Sequence, residues 1–281
     1  MFIFLEITQG IMKKSLLIIA VSLGFTALLQ ADSVPVANDD ASQPAYSSGW
    51  KSDGGGTGFG IWILQNVQKP EVQSHSGFYI ADTHNNPDLN GVAVSDKAFG
   101  LFANGTEFEN ASAFRAFNKP LEPGDSFSFT VEHGELIKKG DYDEPGGSSI
   151  GLTLRSGTQV TNVDDYNKGA RFEFGIYKDK PNYQIFDGDS NTDSGIPFTD
   201  GGLKITFKLV SADSYDLEVT SLKENKTVTL TGRKLGGTQG AALDNFCIFD
   251  RNGEKFDAYF NSFSVTKDST PAAPVAPAPK L

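Results

Sequence analysis

The sequence predicts an all-β fold, a two-sheet antiparallel β-sandwich of the jelly-roll kind. Short stretches of alternating apolar and polar residues recur across residues 59–265, many of them carrying one of the chain's 22 phenylalanines. Glycine, asparagine, aspartate and proline separate these stretches, as they do in turns. No stretch keeps a helical period. The strands vary in length and several connections are long, which favours a sandwich over a closed barrel.

Two stretches show the alternation most clearly. Residues 127–131 and 205–209 place apolar side chains on one face and hydroxyls or a lysine on the other, which is typical of a strand with one buried face. Residues 111–116 fit a helix or a strand equally well. The predicted strands are 59–65, 77–81, 98–103, 113–117, 126–132, 149–155, 170–177, 182–186, 203–210, 215–221, 227–231, 245–249 and 256–265.

Residues 1–31 predict a secretory signal peptide. Lys13 and Lys14 precede an apolar run over 16–29, and a small residue, Ala31, follows it. Met12 is the expected start of translation, because the segment before it adds an apolar patch that a signal does not need. The run is short for a membrane span, which takes roughly 20 apolar residues. An uncleaved anchor is the alternative; with cleavage we expect a secreted, periplasmic or cell-surface protein without stable membrane insertion.

The rest of the chain predicts one domain with two extensions. Residues 32–58 are polar and predict an extended lead-in, 59–267 form the sandwich, and 268–281 predict a disordered tail rich in proline and alanine. The formal net charge is −11, which argues against nucleic acid as a partner because an acidic surface repels phosphate. Cys247 is the single cysteine, so no disulfide framework is possible, and its apolar surroundings predict a buried side chain.

One loop has the pattern of a calcium site. Four oxygen-bearing side chains stand at every second position: Asp187, Asp189, Asn191 and Asp193. Calcium prefers such hard oxygen ligands, which makes calcium the one cofactor the sequence suggests. A plain hairpin loop rich in aspartate and asparagine is the alternative. A second possible cation site combines Asp39, Asp40 and Asp257, provided that the terminal strands adjoin.

Sugar binding needs an aromatic face for stacking and nearby groups that hydrogen-bond hydroxyls. The candidates, which lie on or beside predicted loops, are Trp50, Tyr79, His84 and Asn104. Asn85 and Asn86 lie beside them. Trp62 sits in an apolar strand and is predicted to be core, whereas Trp50 precedes a glycine run and is predicted to be accessible.

No catalytic signature stands out. Glycoside hydrolysis needs two carboxylates across the scissile bond, and the nearest pairs are Glu107 with Glu109 and Asp216 with Glu218. Both pairs read more simply as solvent-facing strand residues. The three histidines lack metal-ligand spacing.

A series of ordered segments carries a resemblance to known proteins: 39–42, 46–50, 58–62, 98–104, 113–117, 195–203 and 256–261. Together they resemble a group of uncharacterised secreted bacterial proteins that are similar to concanavalin A-like lectin/glucanase sandwiches. The resemblance implies that fold but no particular catalytic or binding residue. We therefore expect an exported, noncatalytic, lectin-like sandwich that is carbohydrate-binding or cell-surface-associated, with extracellular or cell-surface glycans as its partners. A glycan-active hydrolase of the same fold and a structural envelope or matrix protein are the alternatives.

Overall fold

The computed structural model describes residues 33–67, 75–86, 89, 91–104, 109–134, 148–157, 168–251 and 257–268. The predicted signal peptide over residues 1–31, Glu107 and the tail from 269 onward lie outside the described residues. No helix within the described ranges is long and apolar enough to cross a membrane.

Fifteen β-strands and one short 3₁₀ turn, Pro44–Tyr46, make up the regular structure of these ranges. The strands are β1 Ser33–Asp39, β2 Phe59–Val67, β3 Ser76–Asp82, β4 Lys97–Ala103, β5 Asn110–Leu121, β6 Asp125–His133, β7 Ser149–Arg155, β8 Ala170–Tyr177, β9 Asn182–Phe186, β10 Asp193–Pro197, β11 Leu203–Ser211, β12 Ser214–Ser221, β13 Lys226–Lys234, β14 Leu243–Arg251 and β15 Ala258–Asp268.

The strands form two antiparallel sheets. Sheet A has the order β13-β12-β11-β6-β15-β4-β3, with β1 pairing the second half of β15 beside β4. Sheet B has the order β10-β9-β8-β7-β14-β5-β2. Alternate side chains of both sheets meet in one hydrophobic core, where the rings of Phe127 in β6 and Phe246 in β14 lie 5.0 Å apart. The predicted all-β sandwich is confirmed.

Every predicted strand is present, most of them within three residues of the predicted ends, and 111–116 belongs to strand β5. Two strands were not predicted. β1 lies in the supposed lead-in and pairs with β15 from Ser33 to Asp39, so the sandwich begins well before residue 59. β10 begins at Asp193, inside the predicted calcium loop, and pairs with β9.

A buried ion pair fixes β1 to sheet B. The carboxylate of Asp39 accepts a hydrogen bond from Arg115 of β5, and both side chains are fully buried. Arg115 also donates to the carbonyl oxygens of Gly60 (2.9 Å) and Gly55 (2.8 Å), and its guanidinium lies 4.7 Å from the ring centroid of Trp62. The hydroxyl of Tyr46 donates to Asp39 as well. The charge pair is thus hydrogen-bonded on several sides, which offsets the cost of its burial.

Candidate functional site

The side chains facing away from the core on sheet A include two tyrosines in register. Tyr79 of β3 pairs with Gly100 of β4, and Gly100 pairs with Tyr259 of β15. The neighbours of Tyr79 and Tyr259 along the chain pack against the core, so the two tyrosines point outward. We call this side of the sheet its outer face.

Gly100 makes room for one of these rings. A Cβ atom at position 100 would lie 2.6 Å from the ring of Tyr79, closer than real Cβ contacts allow. The Tyr79 ring therefore lies across β4 rather than standing out into solvent. Its hydroxyl is thereby directed toward β15 and the residue that precedes that strand.

That hydroxyl belongs to a polar cluster that joins four parts of the chain. Tyr79 donates a hydrogen bond to Oδ2 of Asp257, and Nδ2 of Asn104 donates to Oδ1 of the same carboxylate at 2.9 Å. The Tyr259 hydroxyl lies 3.3 Å from that of Tyr79 and donates to Oδ1 of Asn86 at 3.0 Å. These five residues are called the tyrosine–asparagine cluster.

The protonation state of the cluster suits a hydrogen-bonding site. Burial raises the pKa of the Tyr79 hydroxyl far above its ordinary value of 10.0, and the hydrogen bond to Asp257 raises it further. Tyr79 therefore stays protonated and donates at any physiological pH. Asn104 is exposed at the edge of the cluster, and Asp257 is partly exposed.

The structure brings together two of the four predicted sugar-binding residues, Tyr79 and Asn104, on one carboxylate. His84 is exposed in the turn after β3, where Asn85 binds the carboxylate of Asp82 at 2.9 Å. It stands two residues before Asn86 of the cluster but contributes no described contact to it.

Trp50 requires a correction. It is 4% exposed and its ring packs at 5.2 Å from Trp62, 5.4 Å from Phe78 and 4.8 Å from Phe99. The 3₁₀ turn that precedes it carries the chain back over the core, so the nearby glycine run does not expose this ring. Trp50 is a core residue, as is Trp62, which is fully buried as predicted.

Sequence reasoning did not place Tyr259 and Asp257 in a sugar site. Tyr259 alternates with buried neighbours in β15, a pattern that indicates an outward side chain. Asp257 was considered only as a cation ligand. The contact between Tyr79 and Asp257 spans 178 residues, and no local pattern reports such a distance.

The predicted calcium loop is organised around an arginine. Both oxygens of Asp187 accept hydrogen bonds from Arg233 of β13, at 2.8 and 3.1 Å, and its side chain is fully buried. The same guanidinium lies 3.9 Å from Asp189 and donates to the carbonyl oxygen of Asn191 at 3.1 Å. Asp193 is turned away and accepts from Asn182 at 3.0 Å. The guanidinium stands where the predicted cation would be held.

Two aspartates of the second possible cation site also bind other residues. Asp39 pairs with Arg115, and Asp257 belongs to the tyrosine–asparagine cluster. Across the part of the chain that the structure describes, no three histidine, cysteine, aspartate or glutamate side chains are grouped so that they could hold a metal ion.

The candidate catalytic pairs lie in separate surroundings. Glu109 was expected to face solvent, but it is only 4% exposed and accepts a hydrogen bond from the backbone of His75 at 3.1 Å, so that expectation is wrong. Asp216 and Glu218 stand two positions apart in β12, and both face outward. The Asp216 carboxylate accepts a hydrogen bond from the backbone N–H of Gly232 at 2.7 Å. Asp216 and Glu218 therefore behave as ordinary strand and turn residues.

No protein-family model matches the chain. Among curated proteins, the probable outer membrane protein pmp12 of Chlamydia pneumoniae is 24% identical over 231 residues, which cover 78% of this chain and 44% of that protein. The chain thus spans less than half the length of this relative.

Several solved structures share a distant similarity. A carbohydrate esterase from Shiga toxin-encoding bacteriophage phi24B is 12% identical, with a TM-score of 0.48 and coverage of 85% of this chain and 100% of that one. The cellulose-induced protein Cip1 is 9% identical, with a TM-score of 0.44 and coverage of 83% and 97%. The exoplasmic domain of VIP36 with Ca²⁺ and Man3GlcNAc is 10% identical, with a TM-score of 0.42 and coverage of 76% and 86%. None is similar enough to assign a family.

Proposed function

We propose that the chain is a noncatalytic carbohydrate-binding domain that acts outside the cytoplasm. The observation that carries this proposal is the tyrosine–asparagine cluster on the outer face of sheet A. It combines two aromatic rings, two side-chain amides and one carboxylate within hydrogen-bonding distance of one another.

Each component matches a need of saccharide recognition. Aromatic rings offer an apolar surface for the C–H face of a sugar ring, and amides and carboxylates pair with its hydroxyls. An ionised carboxylate accepts about four hydrogen bonds. Asp257 receives one from Tyr79 and one from Asn104, so it can accept further bonds from sugar hydroxyls. The two protein donors hold the carboxylate in one orientation before the ligand arrives.

The surroundings of the cluster favour binding over hydrolysis. Glu132 pairs with Tyr259 across the neighbouring strand and is the carboxylate that a two-acid mechanism would recruit. It is only 5% exposed, and a Cβ atom on Gly91 or Gly202 would lie within 3.5 Å of its Oε2. Little of Glu132 is therefore open to a glycan bound at Asp257.

Export and surface location are part of the proposal. The signal-like pattern over residues 1–31 supports export, and the relative from Chlamydia pneumoniae is described as a probable outer membrane protein. An acidic chain with net charge −11 fits extracellular glycans as partners better than nucleic acid.

A glycan array probed with the purified chain tests the proposal. We expect selective binding that Asp257→Asn weakens about tenfold or more, since a carboxylate that bonds two sugar hydroxyls contributes well over 1.4 kcal/mol. Glu218→Gln, an exposed change on the same outer face, is the matched control and should bind as the wild type does. A folded protein that binds no glycan, or an Asp257→Asn variant with unchanged binding, would refute the proposal.

The same array separates the alternatives. Release of shortened oligosaccharides would identify a hydrolase, and a blank array with concentration-dependent self-association would favour a structural envelope protein. Calcium and chelator arms test whether a metal takes part. At the Asp187 loop, calcium would first have to displace Arg233.

A further inference from the structure

The outer face of sheet B carries a second aromatic surface. Tyr177 of β8 and Phe186 of β9 meet edge to face, with ring centroids 5.0 Å apart and an interplanar angle of 67°. Phe186 is 44% exposed, although it is a large apolar side chain. The two rings border a shallow depression of about 370 Å³.

Polar groups are fixed within the same depression. Glu173 pairs directly with Phe186 across the two strands, and the hydroxyl of Tyr177 donates a hydrogen bond to Oε1 of Glu173. These two residues are four apart on one strand, roughly 13 Å along the backbone, so their side chains must extend toward each other over Gly175. Gly175, which lies between them on β8, has no side chain to obstruct them.

The rest of the depression is lined by Arg171, Arg251, Asp187 and small residues. Arg251 of β14 lines the depression, and its guanidinium is held 4.3 Å from the ring centroid of Phe249. Gly236 and Gly237 form the opposite rim, where the absence of side chains leaves the backbone accessible. Single exposed apolar residues are common on protein surfaces. Phe186 differs because its strand partner Glu173 is an oriented carboxylate and because its ring borders the same depression as the Arg251 guanidinium.

We propose that this depression, called the Phe186 face and defined by Glu173, Tyr177, Phe186 and Arg251, is a second saccharide-binding site for a neutral pyranose. The sugar ring stacks on Phe186, and its hydroxyls bond to Glu173 and Arg251. The depression is large enough for one or two sugar rings, and its openness admits a chain that continues in both directions.

The alternation of side chains along the strands determines which side of the sandwich each site faces. Phe172, Phe174 and Ile176 of β8 pack into the core, so Glu173 and Tyr177 face away from it. Tyr79 and Tyr259 face away from the core on the other sheet. Packed sheets lie about 10 Å apart, so the two sites open on opposite sides of the sandwich.

A bivalent domain follows from this arrangement. One glycan chain cannot lie on both faces at once without passing around the sandwich, so the molecule bridges two chains. Bridging raises the overall avidity for a multivalent glycan surface without new contacts. This bridging role rests on the proposed function, whereas sugar binding at the Phe186 face does not.

The experiment uses the full chain and a panel of neutral hexasaccharides of the cello-, malto-, manno- and galacto- series. Isothermal titration gives the number of sites, and turbidity with the corresponding polysaccharide reports bridging. We expect titration to give two binding sites per molecule for the wild type and one for each of the variants Phe186→Ala and Asp257→Asn. Neither variant should produce turbidity, because a molecule with one site cannot bridge two glycan chains. Val210→Ala, which truncates an apolar side chain that is 47% exposed elsewhere, is the matched control and should retain both sites and turbidity.

The outcomes separate the two proposals. If Phe186→Ala retains every site and full turbidity, the Phe186 face is refuted and the tyrosine–asparagine cluster stands. If Asp257→Asn loses nothing while Phe186→Ala abolishes binding, the first site fails and the Phe186 face stands. No binding by the folded wild type refutes both. Tyr177→Phe keeps the ring and removes only the hydroxyl, so about tenfold weaker binding at this site would support the proposal even if Phe186→Ala fails to fold.

Discussion

His133, at the end of β6, is a buried neutral histidine whose replacement should change how stability depends on pH. It is 3% exposed and packs 5.5 Å from the ring of Phe198. Its Nδ1 lies 2.7 Å from the carbonyl oxygen of Gly134 and its Nε2 lies 3.2 Å from the hydroxyl of Tyr183. A proton on Nδ1 satisfies the carbonyl while Nε2 accepts from the tyrosine, so the neutral ring satisfies both contacts.

Burial lowers the pKa of His133 from 6.5 to about 4. In the unfolded chain the ring takes up a proton near pH 6.5, whereas in the folded chain it stays neutral down to about pH 4. The unfolded state therefore binds more protons in this window, and the free energy of unfolding falls as the pH falls from 6.5 toward 4. Integrating the two titrations gives a loss of about 1.3 kcal/mol at pH 5.5 and about 2.5 kcal/mol at pH 4.5, relative to pH 7.5.

Urea unfolding at these three pH values measures the effect. His133→Gln cannot take up the proton, so its free energy of unfolding should lack this loss, and the gap between wild type and variant should change by about 2.5 kcal/mol between pH 7.5 and 4.5. Carboxylates titrate in both proteins and cancel in the comparison. His84→Gln, at an exposed histidine, should keep the wild-type dependence. A His133→Gln variant with the same pH dependence as the wild type would show that the buried histidine does not account for the acid sensitivity.

Three further predictions concern the core. Asp39→Asn leaves Arg115 buried without its carboxylate partner, so urea unfolding should show a free energy of unfolding lower by about 3–5 kcal/mol. Lys223→Ala, which removes an exposed ion pair, should lower it by at most about 1 kcal/mol. Equal losses in the two variants would contradict the argument. Trp50→Ala should cost about 3–5 kcal/mol in the same assay, and a neutral effect would show that the ring is not core. Burial raises the pKa of the Cys247 thiol to about 12, so at neutral pH a thiol reagent should label it only as fast as the protein unfolds; rapid labelling of the native protein would contradict its burial.

The fold was predictable because most strands keep a strict alternation around large apolar side chains. The two missed strands lack that signal. In β1, Val34 and Val36 are exposed and Pro35 interrupts the pattern, so pairing with β15 rather than local propensity makes it a strand. In β10, the inward positions are Ser194 and Ile196, set among turn-forming residues that favour a loop.

The candidate site was predictable only in its parts. Tyr79 and Asn104 have the side chains that sugars need, but their meeting on Asp257 depends on the register of three strands. Trp50 was misjudged because the neighbouring glycines indicate a turn but not which side of the turn faces the core. The calcium loop had suitable ligands, yet Arg233, from a strand some 40 residues later, takes the central position. Long-range contacts decided each of these outcomes, and local sequence does not encode them.

Strand register divides the aromatic residues of this chain between the core and the outer faces of the two sheets. Both tryptophans and many phenylalanines lie in the core, where Trp62 and Phe246 meet at 5.6 Å, whereas Phe114 and Phe249 belong to a small separate cluster. The outward aromatics of both candidate sites are associated with glycines: Gly100 lies under the ring of Tyr79, and Gly175 lies between Tyr177 and Glu173. A ring that lies against the sheet loses little mobility when a flat ligand stacks on it, since it is already held in place. On this reasoning, we expect glycan binding at outward aromatics that lie beside an outward glycine and an oriented carboxylate.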